Sequence, residues 1–209
     1  MHNPITFTVH KDLLTSHSRY FAAASNGHFK EAQSNAIRLP GDEPGLFAVA
    51  VDAVYRGHIV SDNRAYRSLG YVDDLKLYVI LDKYTFVNRD GSSMATSHLD
   101  EVSDCRVERL NDFTSEHVTF IFNNSTVGSM LREHAAMLIG DNIESAPYRA
   151  EHFKECIQMY PDLAFDVVRK LWNRTKEYLN DNEKLTKKLT KGKREAFFWL
   201  GDCSILEKG

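Results

Sequence analysis

The chain has 209 residues, of which 43% are hydrophobic and 26% are charged, so it can bury the core of one large soluble domain or two small ones. Its net charge of −3 at pH 7 excludes a chain built throughout to bind nucleic acid or an anionic membrane. No apolar run reaches the roughly 18–20 residues that a membrane-spanning helix needs, and the opening residues lack the pattern of a signal peptide.

The cysteines indicate a reducing environment. The chain has three cysteines, an odd number, and they lie far apart in the sequence and in no paired motif: Cys105, Cys156 and Cys203. A disulfide framework is therefore not expected, and the cytoplasm, the nucleus or both are the predicted locations.

Three short strands are predicted in the first part of the chain. Residues 5–9 alternate apolar and polar side chains, which predicts a strand with Ile5, Phe7 and Val9 on its buried face. Residues 36–39 predict a second strand, and residues 59–60 predict a third fragment.

Helical spacing fills the segments between these strands. Ser18 is predicted to cap one helix. A second helix begins near Pro44 and ends at Gly57, with an apolar stripe. That stripe consists of Phe47, Val51 and Val54. A third helix has Asp73 and Asp74 in its first turn and apolar residues on almost every side, which predicts that it is largely buried.

Six short motifs follow one another between residues 7 and 84. They are Phe7 to Leu14, Ser18-Arg19-Tyr20-Phe21, Gly27-His28-Phe29-Lys30-Glu31, Ile37-Arg38-Leu39, Phe47 with Tyr55-Arg56-Gly57-His58-Ile59, and Leu77 to Tyr84 with Asp82-Lys83. In this order they resemble the motifs of the BTB/POZ family. Residues 118–122 and 129–132 resemble the helical continuation of fungal-type BTB proteins.

The resemblance implies an α+β fold in which a small sheet is covered by helical hairpins. It places a BTB/POZ domain at residues 1–90, an all-helical extension at 91–182, and a basic then aromatic tail at 183–209. The domain boundary is expected in the polar turn at residues 88–93. The family's first strand has no counterpart, because Met1 falls at the hairpin turn, so an N-terminally shortened copy is expected.

The resemblance also implies a protein–protein interaction module rather than an enzyme, with no cofactor and no metal. Its expected partner is itself or another BTB protein, in homo- or hetero-oligomers. Because the strand at residues 5–9 would have an unpaired edge, Thr6 and Thr8 are candidate interaction residues on its outer side.

Two other functions remain open. Val72-Asp73-Asp74 resembles the hydrophobic-x-acid triplet of BTB adaptors for cullin-3 ubiquitin ligases. A nuclear, transcription-associated regulator is the other possibility, with the basic tail as an import signal or simply a solvated helix face. Its candidate residues are Lys187, Lys188, Lys191, Lys193 and Arg194. Nucleic-acid binding is not favoured, because neither a zinc finger nor a helix-turn-helix is visible.

Catalytic and metal-binding patterns are weak. His152 and Cys156 lie one helical turn apart, but zinc needs about four ligands and no second pair lies nearby in the sequence, so an exposed helix face is favoured. No G-x-S-x-G, P-loop or G-x-G-x-x-G pattern occurs. Phe21, Phe47 and Leu77, each from a different motif, are instead predicted to be buried together.

Overall fold

A computed structural model describes residues 5–26, 30–59, 69–104, 113–145 and 147–202 of the chain. Within residues 147–202, the side chains of 147–149, 185–186 and 188–202 lie outside that description, as does the side chain of residue 104.

The described residues form a series of helices. In the first part these are α1 (Lys11–His17), α2 (Arg19–Asn26), α3 (Lys30–Ser34), α4 (Pro44–Arg56) and α5 (Tyr71–Lys83). They are followed by α6 (Met94–Asp104), α7 (Ser115–Asn123), α8 (Met130–Ser145), a 3₁₀ helix (Pro147–Phe153), α9 (Lys154–Met159) and the long α10 (Pro161–Asp202).

The predicted α+β fold is wrong. Helices make up 74% of the structure, and the described residues contain no sheet. Residues 5–10 and 36–39 have no regular secondary structure, Ile59 lies in a loop, and Val60 falls outside the described residues. A strand is stable only when a neighbour takes up its backbone hydrogen bonds, and no backbone hydrogen bond joins residues 5–9 or 36–39 to another described segment.

The strand-like backbone pairing in the described residues consists of isolated β-bridges. They join Ser18 to Phe86 and Val87 to Ser93. Two residues at each site cannot form a hydrophobic sheet surface, so helix packing provides the core.

The core of the first part lies between α2, α4 and α5. Phe21, Phe47 and Leu77 are all buried in one cluster, as predicted from the motifs. Ser18 caps α2 as expected: its hydroxyl oxygen accepts the Phe21 N–H at 3.1 Å and its O–H donates to the Tyr84 carbonyl at 2.6 Å. This one side chain thus links the start of α2 to the end of α5.

The ends of α4 also follow the sequence prediction. Pro44 occupies the first turn, and Gly57 ends the helix with φ of 81°, where its N–H bonds to the carbonyls of Ala53 and Val54. A Cβ at Gly57 would lie 2.4 Å from Nε of Arg89, so space as well as backbone conformation favours glycine.

The second part packs on the first through α6, which lies against α5 and also contacts α8. The turn between the two parts is formed as predicted: Asn88 donates its N–H to the Ser92 carbonyl at 2.9 Å, and Asp90 accepts the Ser92 N–H at 2.9 Å. The apolar core continues across this turn, since residues from both parts belong to one buried cluster.

Candidate interaction surfaces

The N-terminal segment, residues 5–9, lies over α4. The Phe7 ring contacts the Phe47 ring, with centroids 5.7 Å apart, and Val9 is partly buried. Ile5 is 61% exposed and Phe7 is 37% exposed, so the predicted burial of these two side chains is wrong, while Thr6 and Thr8 are exposed as predicted.

A polar contact holds the end of this segment on α4. The His10 N–H donates to the Tyr55 hydroxyl oxygen at 3.2 Å, and Nδ1 of His10 lies 2.7 Å from the same oxygen. The segment has no regular secondary structure and is anchored at both Phe7 and His10. It makes no hydrogen bond through the backbone of residues 5–9 to another described residue.

The adaptor-like triplet is divided between the surface and the core. Val72 is exposed, and an oxygen of Asp73 lies 3.9 Å from the Lys76 ammonium nitrogen. Asp74, however, is only 1% exposed, so a partner protein that contacted its carboxylate would have to open the structure there.

The carbonyl of Asp74 is bonded to a buried histidine. Nε2 of His98 donates to it at 2.8 Å. Burial lowers the pKa of His98 to about 4, because the charged imidazolium would lose its hydration. The imidazole is therefore neutral at physiological pH, where it connects α6 to α5.

A second buried histidine connects three helices. Nε2 of His134 on α8 lies 3.0 Å from the Tyr71 hydroxyl on α5, and its Nδ1 lies 3.1 Å from the Ser103 hydroxyl on α6. Both ring nitrogens therefore have partners, which indicates a structural role in joining the two parts of the chain.

The His152 and Cys156 pair is also separated. His152 is exposed, whereas Cys156 is buried, and its thiol donates to the Ser115 carbonyl at 3.4 Å. Burial raises the pKa of this thiol. In the described part of the chain, no group of three His, Cys, Asp or Glu side chains could hold a metal ion.

One side of α10 is held firmly on α8. Leu163 and Val167 are buried, and Lys170 forms an ion pair with Glu133 at 3.4 Å. One turn further on, the Arg174 guanidinium pairs with carboxylates of α8. They belong to Asp141 and, at 3.1 Å, Glu144.

The opposite side of α10 is apolar but uncovered by the described residues. Phe165 is 69% exposed, Val168 64%, Trp172 60% and Leu179 60%. At about 100° per residue, this row lies roughly 150° around the helix from Leu163, Val167 and Arg174. We call these four residues the outer row.

The basic tail continues α10. Lys187 is exposed, and its ammonium nitrogen lies 3.0 Å from a Glu183 carboxylate oxygen, one turn away. The helix backbone passes through the other predicted import residues, whose side chains lie outside the described residues. These are Lys188, Lys191, Lys193 and Arg194.

The outer row was not predicted from the sequence, although a signal was present. Its members are separated by three, four and seven residues, which is the spacing of a helical stripe.

No family model and no solved structure matches the chain. Within the described residues, no helix is both long enough and apolar enough to cross a membrane.

Proposed function

We propose that this chain is a protein–protein interaction module that forms homo- or hetero-oligomers. The observation that carries the proposal is the N-terminal segment, which is held on α4 without regular secondary structure and with exposed apolar side chains. Its backbone donors and acceptors at residues 5–9 make no hydrogen bond to another described residue. Backbone groups without such hydrogen bonds are available to pair with an extended segment of a partner chain.

The sequence resemblance supports the same role. The motifs at residues 18–21, 47–57 and 77–84 lie on α2, α4 and α5 or at their ends, and they pack together in one core. In the BTB/POZ family that they resemble, such a core supports an interaction surface. The proposal concerns the role, and it does not depend on the sheet that the described residues lack.

Proline at residue 8 tests the proposal. Thr8→Pro removes one backbone donor while leaving the apolar side chains of the segment in place. We expect it to weaken association by about tenfold, the upper range for one lost hydrogen bond. Sedimentation measures the assembly, and circular dichroism checks that the helices are retained.

Thr8→Val is the matched control, because valine keeps the N–H and the branched shape of threonine. It should associate like the unmodified chain. Equal association of the proline and unmodified chains would exclude this segment as the surface. An unmodified chain that stays monomeric and captures no partner from cell extract would refute the proposed function itself.

The cullin-3 adaptor role has less support, because its triplet would need a buried carboxylate. Val72 and Asp73 both present side-chain surface to solvent, whereas Asp74 lies in the core. We therefore propose the assembly role as the principal function.

A further inference from the structure

We propose that the outer row of α10 pairs with the same row of a second copy of this chain, in an antiparallel helical dimer. This inference deepens the proposed interaction function, on which it rests, because it names a surface other than the N-terminal segment and commits to one partner. Phe165, Val168, Trp172 and Leu179 are the apolar residues on which it depends.

The spacing of the row favours another helix as the occupant. With Thr175 included, exposed positions recur at intervals of three, four, three and four residues, which is the heptad pattern of two packed helices. The next position in the register is Asn182, and one polar residue at such a position commonly sets alignment between helices.

The surroundings leave this row accessible. Ion pairs and buried side chains hold the inner face of α10 on α8, while the outer row points roughly the opposite way. The described side chains after Arg174, from residue 175 to residue 184, are all exposed. A second copy can therefore lie along the row without displacing a helix of the body.

Charge next to the row favours a second copy in antiparallel orientation. Arg169, Lys176 and Glu183 occupy the same flanking heptad position, and such positions face each other in antiparallel pairs. A twofold axis near Lys176 places Arg169 of each copy opposite Glu183 of the other. In a parallel pair, the same three charges would face Ala164, Leu171 and Tyr178, which cannot form ion pairs with them.

This register contains both favourable and unfavourable contacts. Leu179 packs against Thr175 of the second copy, and Trp172 packs beside Asn182. Lys176 approaches its own symmetry mate, which is unfavourable, but its ammonium group lies over the Trp172 ring at 5.4 Å from the centroid. The two Arg169–Glu183 pairs would form at the rim beside the ion pairs that these side chains make within α10, where Arg169 lies 2.9 Å from Asp166 and Glu183 lies 3.0 Å from Lys187.

The first test introduces charge into the row of the full chain. Trp172→Glu with Leu179→Glu should weaken dimerisation by about 30-fold or more, as loss of a central aromatic anchor does. The matched control is Asn173→Glu with Asn180→Glu, which adds the same charge to exposed positions on the polar side of the same helix. Sedimentation equilibrium measures the dimer, and circular dichroism verifies the helix.

The second test addresses orientation. Arg169→Glu alone should weaken the dimer, and Arg169→Glu with Glu183→Arg should restore it, because the swap recreates both ion pairs. A parallel or unspecific apolar association would not show this recovery, since residues 169 and 183 lie two heptads apart on the helix.

The outcomes separate this inference from the proposed function. A dimer that is lost in the outer-row variant but kept by its matched control supports the inference, while Thr8→Pro reports separately on association through residues 5–9. A dimer that survives the outer-row variant overturns it. An unmodified chain that remains monomeric but captures another protein through residues 5–9 also overturns it, while the proposed interaction function stands.

Discussion

Helices α5 and α10 are both apolar around much of their circumference, yet they differ in how much of that apolar surface is buried. In α5 the apolar residues are buried, because α4 and α6 pack on different sides of it. These residues are Leu75, Leu77, Tyr78, Ile80 and Leu81. In α10 only one side is covered, by α8 and α9, and the outer row stays exposed. The width of the apolar surface of a helix shows how much of that surface must be buried. The neighbouring helices decide whether the same chain can bury it.

The largest effect should come from the covered region. Phe47 on α4 contacts Phe7, Phe21 and Tyr84, with ring centroids 5.7 to 6.2 Å apart. Phe47→Ala should lower the free energy of unfolding by about 3–5 kcal/mol, since it removes a buried ring and leaves a cavity. Urea unfolding followed by circular dichroism measures the change.

Trp172→Ala on α10 is the comparison for that substitution. At a concentration where the chain is monomeric, it should change the free energy of unfolding by no more than about 0.5 kcal/mol. Similar losses for Phe47→Ala and Trp172→Ala would contradict the contrast between the two helices.

The second effect is a pH dependence that only the covered region should show. Burial holds the pKa of His98 at about 4, below the ordinary histidine value of 6.5, so the unfolded chain takes up a proton at a pH where the folded chain does not. Stability is therefore complete above about pH 6.5 and is lost as the pH falls towards 4. We expect this histidine to account for about 2 kcal/mol of loss between pH 7 and pH 5.

Replacement of His98 by glutamine provides the control. The glutamine amide can donate to the Asp74 carbonyl but does not titrate, so the variant should lose less stability between pH 7 and pH 5. Urea unfolding at the two pH values compares the chains. An equal loss in both would show that His98 is not the group responsible.

The smallest effect should occur within α10 itself. Phe165→Ala should change the free energy of unfolding of the monomer by no more than about 0.5 kcal/mol, because the ring is 69% exposed. Leu163→Ala, two residues earlier on the buried face, should cost about 2–5 kcal/mol. Thermal unfolding in dilute solution tests the pair, and an equal loss would mean that the outer row is covered within the monomer.

Local patterns predicted the helices well. Ser18, Pro44 and Gly57 lie at helix ends, as the chemistry of each residue predicts. At Gly57 the backbone has a left-handed conformation and the Arg89 side chain approaches closely. Each of these signals operates within one helical turn, so the residues nearby in sequence suffice to define it.

The strands could not be predicted in the same way. Alternation at residues 5–9 shows where apolar side chains fall, but it contains no information on a neighbouring strand. Ile37 and Leu39 still pack against the core without any sheet. At residues 36–39, the alternation of apolar and polar side chains therefore indicates which side faces the core. It does not indicate a strand, because hydrogen-bonded pairing depends on a distant segment.

The candidate sites show the same limit. Val72, Asp73 and Asp74 are consecutive in the sequence, yet helix geometry and the packing of α6 place the first at the surface and the last in the core. The apolar stripe on α10 can be read from spacing, but the exposure of its outer row depends on where α8 lies.

The sequence by itself determined the helix ends, the buried character of α5 and the common burial of Phe21, Phe47 and Leu77. Capping, φ preferences and apolar periodicity are short-range properties that every copy of the sequence possesses. Tertiary structure alone decided that residues 5–9 pair with no other described segment as a strand. It also decided that Asp74 is buried and that one apolar face of α10 stays exposed. Those outcomes depend on which surfaces segments far apart in the chain bury against one another.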